Sequence, residues 1–346
     1  MKNYFKILCA LCLLTGIVAC KKEAAIEGPE LVDIFGNFEV ISPLRASQKT
    51  IDFSKNEHLF FTAKLSIRSN WTLEIIGMNS GAKKVFTGNE KDFISNPIDW
   101  NGTITFAPFF RKNEPCFARL FFSQLKDTLY SDTVTILGIR PTPEVNILID
   151  DFESPQRPYN TFSEGQQSYN STAVNYQGIA PAEKSRYYVL AGNHGATASL
   201  FLCGMNLATK ISQADTNGLY FNFATENPEK IYFNAYVYGW GDNKAELSIE
   251  FQEDDNKNGS YEAAEEGTYN YRIAVNWTGW KLISFPYSAT KISTSGGFGN
   301  VDRTGKKDPD RIIATQFLLL AKAGTSGNTR AGIDFCSFTY NAPFQP

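Results

Sequence analysis

At 346 residues, with 42% hydrophobic and 20% charged residues, the chain is long enough for two packed cores and too apolar to be a disordered tail. A formal charge of -3 without a basic stripe excludes a nucleic-acid surface, and two histidines, His58 and His194, leave little for a histidine metal centre or a Ser-His-Asp triad. Aromatics at 14%, with 26 glycines and 15 prolines, point to an all-β chain with frequent turns.

Lys2 and Lys6 flank the start of an apolar run over residues 7–14, which leads to Ile17-Val18-Ala19-Cys20. A charged start, a short apolar middle and small residues before a break make an export signal. The run is shorter than the roughly 20 residues a spanning helix needs. Ile17-Val18-Ala19-Cys20 resembles the bacterial lipobox, which implies a signal peptide over 1–19 and a lipidated Cys20 as the mature N-terminus. Several acyl chains anchor stably where one is marginal. Residues 20–30 read as a tether, and Lys21-Lys22-Glu23 resembles the charged tether of Bacteroidota surface lipoproteins, implying a lipid-anchored, surface-exposed outer-membrane protein. Cys9 and Cys12 leave with the signal. Of the remaining Cys116, Cys203 and Cys336, a Cys203–Cys336 bridge and buried thiols both stay open.

From 31 to 140 the chain reads as short strands, at 59–65, 71–76, 103–106, 117–122 and 132–137, with no helical periodicity between them. This spacing predicts an immunoglobulin-like β-sandwich with Trp71 and Trp100 at or near its core. Arg140-Pro141-Thr142-Pro143 breaks the pattern, since neither proline can donate to a ladder, and places a linker at 141–144.

From 145 to 346 further strands are expected at 145–153, 219–224, 231–240, 246–252, 269–275, 280–285, 316–321 and 332–339, which predicts a β-jelly roll of eight to ten strands. A strand ending in Asp150-Asp151-Phe152-Glu153, then Gly279-Trp280-Lys281-Leu282-Ile283-Ser284-Phe285-Pro286, then Gly332-Ile333-Asp334-Phe335 resemble, in this order, the galactose-binding-like jelly roll of carbohydrate-binding modules. The resemblance implies non-catalytic sugar binding and a structural calcium near the first and last strands, with Glu153 and Asp334 as its ligands.

Successive strand side chains point to opposite faces. Over 231–240 the odd positions Ile231, Phe233, Ala235 and Val237 fit a core, leaving Tyr232, Asn234, Tyr236, Tyr238 and Trp240 on the other face. The same alternation turns Tyr220 and Asn222 outward, with Arg272 and the row Glu246, Ser248, Glu250 and Gln252. Flat π-surfaces beside hydrogen-bonding tips match the C–H faces and hydroxyls of a sugar, so these residues are the expected glycan-binding groove. A solvated face, or one covered by a loop or by the N-terminal half, stays open beside it.

Residues 254–265 satisfy the calcium-loop template D-x-[DN]-x-[DN]-G-x5-E. Asp254, Asn256, Asn258, Ser260 through its carbonyl, Glu262 and Glu265 are the expected ligands, and the strand-like flanks make the loop a calcium-pinned hairpin tip. A plain acidic turn is the alternative. No G-x-S-x-G, H-E-x-x-H or phosphate loop is present. The sequence thus predicts a surface lipoprotein that binds a polysaccharide, held for an outer-membrane transporter or a glycan-degrading enzyme, with no nucleic-acid partner. An adhesin or structural envelope protein, or a polysaccharide-active enzyme using a pair among Glu246, Glu250, Asp242 and Asp151, are its rivals.

Overall fold

A computed structural model describes residues 37–122, 125–140, 145–154, 159–195, 199–208, 220–263, 265–293 and 306–346. The expected signal peptide, Cys20, the 20–30 tether and the 141–144 linker lie outside the described residues.

In the N-terminal half the strands are β1 (Val40–Ala46), β2 (Thr50–Asp52), β3 (Leu59–Leu65), β4 (Trp71–Gly77), β5 (Lys83–Gly88), β6 (Ile98–Trp100), β7 (Glu114–Phe122) and β8 (Leu125–Gly138). They form the sheets β1-β3-β6 and β2-β8-β7-β4-β5, antiparallel except for the parallel pair β2–β8. Burial alternates strictly along β3, β4 and β7, as a half-buried strand of period two demands. Trp71 and Trp100 are both buried, and Trp100 meets Phe53 and Phe110 edge to face at 4.8 and 5.0 Å. Residues 103–106 are not the expected strand. Gly102 turns the chain at φ 84°, the Thr103 carbonyl accepts from Trp100 Nε1, and only Phe106 bridges to Lys83.

The second half contains β9 (Ile147–Asp150), β10 (Asn160–Ser163), β11 (Gln167–Ala173), β12 (Tyr187–His194), β13 (Leu200–Ala208), β14 (Ile231–Trp240), β15 (Ala245–Glu253), β16 (Thr268–Val275), β17 (Thr278–Pro286), β18 (Lys291–Ile292), β19 (Ile312–Ala321) and β20 (Gly327–Tyr340). One six-stranded sheet runs β10-β13-β19-β15-β16-β18; the other runs β11-β12-β20-β14-β17, with β9 paired to β20. The chain is all-β, and this half is a jelly-roll sandwich. The core between its sheets takes the expected rows Phe233, Ala235 and Val237 from β14 and Leu247, Ile249 and Phe251 from β15. Residues 220–224 form no strand; Phe221 and Phe223 pack on Phe338 at 5.3 and 5.0 Å. Cys116, Cys203 and Cys336 are buried, and none is in a disulfide.

The apolar cluster of the N-terminal sandwich continues into Tyr236, Phe335 and Phe344 of the second half. Phe109 is the joint. Its ring meets Tyr236 at 5.5 Å and Phe335 at 6.2 Å, both edge to face, while its amide donates to the Ala182 carbonyl.

Candidate functional site

The residues expected in one groove occupy two opposite sheets. β14 lies in the β11-β12-β20-β14-β17 sheet, whereas β15 and β16 belong to the other, so Tyr232 to Trp240 share no face with Arg272. The β14 face is also closed over its middle. Asn234 is fully buried: its Nδ2 donates to Thr339 Oγ1, and its Oδ1 accepts from Ser284 Oγ and the Phe344 amide. Tyr236 is 1% exposed beneath Phe109, and burial pushes its hydroxyl well above the usual range. Tyr232, Tyr238 and Trp240 are half-buried. Trp240 carries the Arg330 guanidinium over its ring at 4.9 Å and the edge of Tyr238 at 4.7 Å. The open face predicted for this strand is therefore corrected: the N-terminal sandwich and residue 344 cover its centre, and Arg330 covers the indole.

The remaining expected contacts also lie elsewhere. Tyr220 donates to Asp254 Oδ2, Asn222 is exposed, and Arg272 is exposed with Glu246 at 3.8 Å.

The open groove is on the outer face of the six-stranded sheet and has a volume of about 720 Å³, within the range of ligand sites. Register lays two rows across this face of the sheet, of which Gln316, Glu250, Phe162 and Leu318 line the groove. Opposed positions give one polar row across the strands, Asn160, Asn206, Gln316, Glu250, Asn270 and Lys291. The next row on the same face is Phe162, Gly204, Leu318, Ser248 and Arg272. Directly opposed side chains on one face are neighbours, so an amide–carboxylate strip runs beside a row that is apolar over Phe162, Gly204 and Leu318. Phe162 stacks on Phe201 at 5.8 Å and 24° between planes. Its ring lies over Gly204, where an added Cβ would meet Phe162 Cε2 at 2.7 Å and Leu318 Cδ2 at 2.8 Å. A side chain there would lift the ring off the floor.

Glu250 sits at the centre of this floor. Burial raises its carboxyl above the ordinary range, opposed by hydrogen bonds donated by Ser248 Oγ at 3.1 Å and Ser293 Oγ at 3.3 Å. Gln252 Oε1 accepts from Asn206 Nδ2 beside it. Tyr261 hydrogen-bonds Thr268 at the groove wall. The outward row of β15 was legible in the sequence. Phe162, Phe201, Gln316, Leu318 and Tyr261 were missed; the alternation Gln316, Leu318, Leu320 along one strand was the signal for the β19 pair.

Tyr261 belongs to the acidic loop. Asp254 accepts the amides of Asn258 and Gly259, Asn256 Nδ2 and Asn258 Nδ2 both donate to the Glu262 carboxylate, and Ser260 is exposed with its amide bonded to Asn258 Oδ1. Glu265 faces solvent, and Glu266, fully buried, takes the inward position by accepting the amides of Asn256 and Glu262. The carboxylates of the loop thus accept from its own amides and asparagine side chains, with Glu266 in the inward place expected for Glu265. Glu153 and Asp334 are employed differently: Glu153 accepts the amides of Ser185 and Arg186 at 2.8 Å, and buried Asp334 accepts that of Glu183 at 2.9 Å. No group of three or more His, Cys, Asp or Glu residues among the described residues is arranged to hold a metal ion.

No family model matches the chain, and no curated protein matches it in sequence. Among solved structures it is similar to a family 11 carbohydrate-binding module from Clostridium thermocellum in complex with a beta-1,3-1,4-mixed-linked tetrasaccharide, at 16% identity and TM-score 0.38, over 56% of this chain and 95% of that one. A family 30 carbohydrate-binding module follows at 12% identity and TM-score 0.35, over 56% and 98%. An exo-beta-agarase matches at 13% identity and TM-score 0.33, over 58% of this chain and 26% of its own. With TM-scores below 0.5, none of these likenesses carries an argument about this chain.

Proposed function

We propose that the chain is a non-catalytic polysaccharide-binding protein whose ligand lies across the strands in the groove of the six-stranded sheet. One observation carries this reading: Gln316, Glu250 and Gln252 lie beside Phe162, Phe201 and Leu318 in an open groove of about 720 Å³. A pyranose offers hydroxyls on its rim and C–H groups on its faces, so one strip bonds the rim while the other takes a face. The groove replaces the β14 face as the ligand site. Around it we place a lipid anchor at Cys20 in the outer membrane and an N-terminal sandwich acting as an immunoglobulin-like spacer. A transporter or glycan-degrading enzyme is the recipient of the bound chain. Calcium would be held by Asp254, Asn256, Asn258, Glu262 and Glu266, pinning the loop that carries Tyr261 into the groove wall.

Affinity gel electrophoresis of the full chain against a panel of neutral and acidic polysaccharides tests the reading. Retardation without release of reducing ends is expected. Unchanged mobility on every polysaccharide refutes it, and release of reducing ends abolished by Glu250→Gln would make Glu250 and Glu164, which also lines the groove, a catalytic pair instead.

A further inference from the structure

A second cavity, of about 280 Å³, lies at the seam where the N-terminal sandwich meets the 182–184 segment. It is too small for a polysaccharide and sized for one small molecule. Its walls are the rings of Phe53, Phe109 and Phe110 with Ile104 and Ile139. Three cationic residues line it, Arg111, Lys112 and Arg140, and none of them forms an ion pair with a described residue. Lys184 is engaged with Asp151 at 2.8 Å and Glu183 at 3.1 Å.

Glu183 lines the same cavity. It is 5% exposed, and its Oε2 has no hydrogen-bond partner among the described residues. A buried acceptor left unbonded costs roughly 1–3 kcal/mol, so the site is built with one position unfilled. The segment presenting it is held at both ends. Asp334 fastens the Glu183 amide and Glu153 fastens those of Ser185 and Arg186, with Lys184 between them at φ 40° in the left-handed region. Burial raises the Glu183 carboxyl to about 7, so a cation brought to Oε2 returns it to its charged form.

We infer that this chamber is a binding site for a small zwitterion with an apolar body, of the class of aromatic α-amino acids. The ring fills the space between Phe53, Phe109 and Phe110, the carboxylate meets Arg111, Lys112 and Arg140, and the ammonium donates to Glu183 Oε2. Charges of both signs lining one apolar chamber select a molecule carrying both groups over one carrying either. Because the walls come from both halves of the chain, the ligand also ties the seam together.

The test is calorimetric titration of the full chain at pH 7.5 with L-phenylalanine, 3-phenylpropionate and phenethylamine. Phenylalanine should bind at least ten times more tightly than the other two, and should raise the melting temperature. Lys112→Gln and Arg140→Gln, both at the cavity rim, should each weaken phenylalanine at least fivefold with the apo melting temperature and groove binding unchanged. Glu183→Gln should remove the preference over 3-phenylpropionate. No binding of phenylalanine up to 10 mM on the order of a saturating concentration for a weak site, equal binding of phenylalanine and 3-phenylpropionate, or full affinity in both rim variants overturns the inference.

Discussion

Glu253 gives the sharpest test of the packing. It closes the inward row of β15 after Leu247, Ile249 and Phe251, so a carboxyl stands where the pattern calls for an apolar side chain. The group is fully buried; Oε1 accepts from Tyr287 Oη at 2.6 Å and the Asp308 amide at 3.0 Å, while Oε2 has no hydrogen-bond partner among the described residues. Burial is the largest cause that raises its carboxyl from 4.5 to about 8, with Asp255 and Asp308 adding to it. A raised acid stabilises the fold below its unfolded value, and that contribution is lost as pH rises through the folded value. The interval from 4.5 to about 8, at about 1.4 kcal/mol per unit, sets an upper bound of roughly 5 kcal/mol on the loss. Such a loss is a large share of the ~5–15 kcal/mol that holds a domain together. Glu253→Gln mimics the neutral form and keeps the Oε1 acceptor. Followed by circular dichroism, the parent chain should melt about 5–10 °C lower at pH 9 than at pH 6. The variant should match it at pH 5 and lose less than half as much on the way to pH 9. Glu183, raised to about 7, contributes an earlier decline that the substitution leaves in place. A variant that falls with pH as steeply as the parent refutes a buried neutral Glu253.

Phe162→Ala removes a ring that is 37% exposed and stacked on Phe201; polysaccharide affinity should drop about 5–12-fold, from the ~1–1.5 kcal/mol of an aromatic contact, with little change in melting temperature. Gly204→Val should lower affinity comparably, by displacing that ring, whereas an unaltered gel mobility would remove Phe162 from the site. Tyr236→Ala should instead destabilise the fold by roughly 3–5 kcal/mol in urea titration, because it empties a buried contact with Phe109, and any folded fraction should keep its polysaccharide affinity. Calcium at the acidic loop should raise the melting temperature of chelator-treated protein and lose that effect in Asp254→Ala or Glu266→Gln. Survival of the effect in both variants would place the ion elsewhere.

Alternation along each strand was legible without coordinates. It assigned Phe233, Ala235 and Val237 to the core and turned Glu250 and Gln252 outward, because side chains on an extended backbone have a fixed period of two. The all-β class followed from the same periodicity and the spacing of turns. Which strands share a sheet is a different question, decided by pairing between segments far apart in the chain, and no local pattern encodes it. β14 and β15 are consecutive and carry similar polar rows, yet they lie in opposite sheets, so one row ended beneath Phe109 and the other became a groove floor. The acidic loop shows the same limit at shorter range: its template was visible, but only the folded turn swung Glu266 inward in place of Glu265. Composition and period fixed what each strand offers to its two sides; long-range pairing and the docking of two sandwiches decided which of those sides meets water.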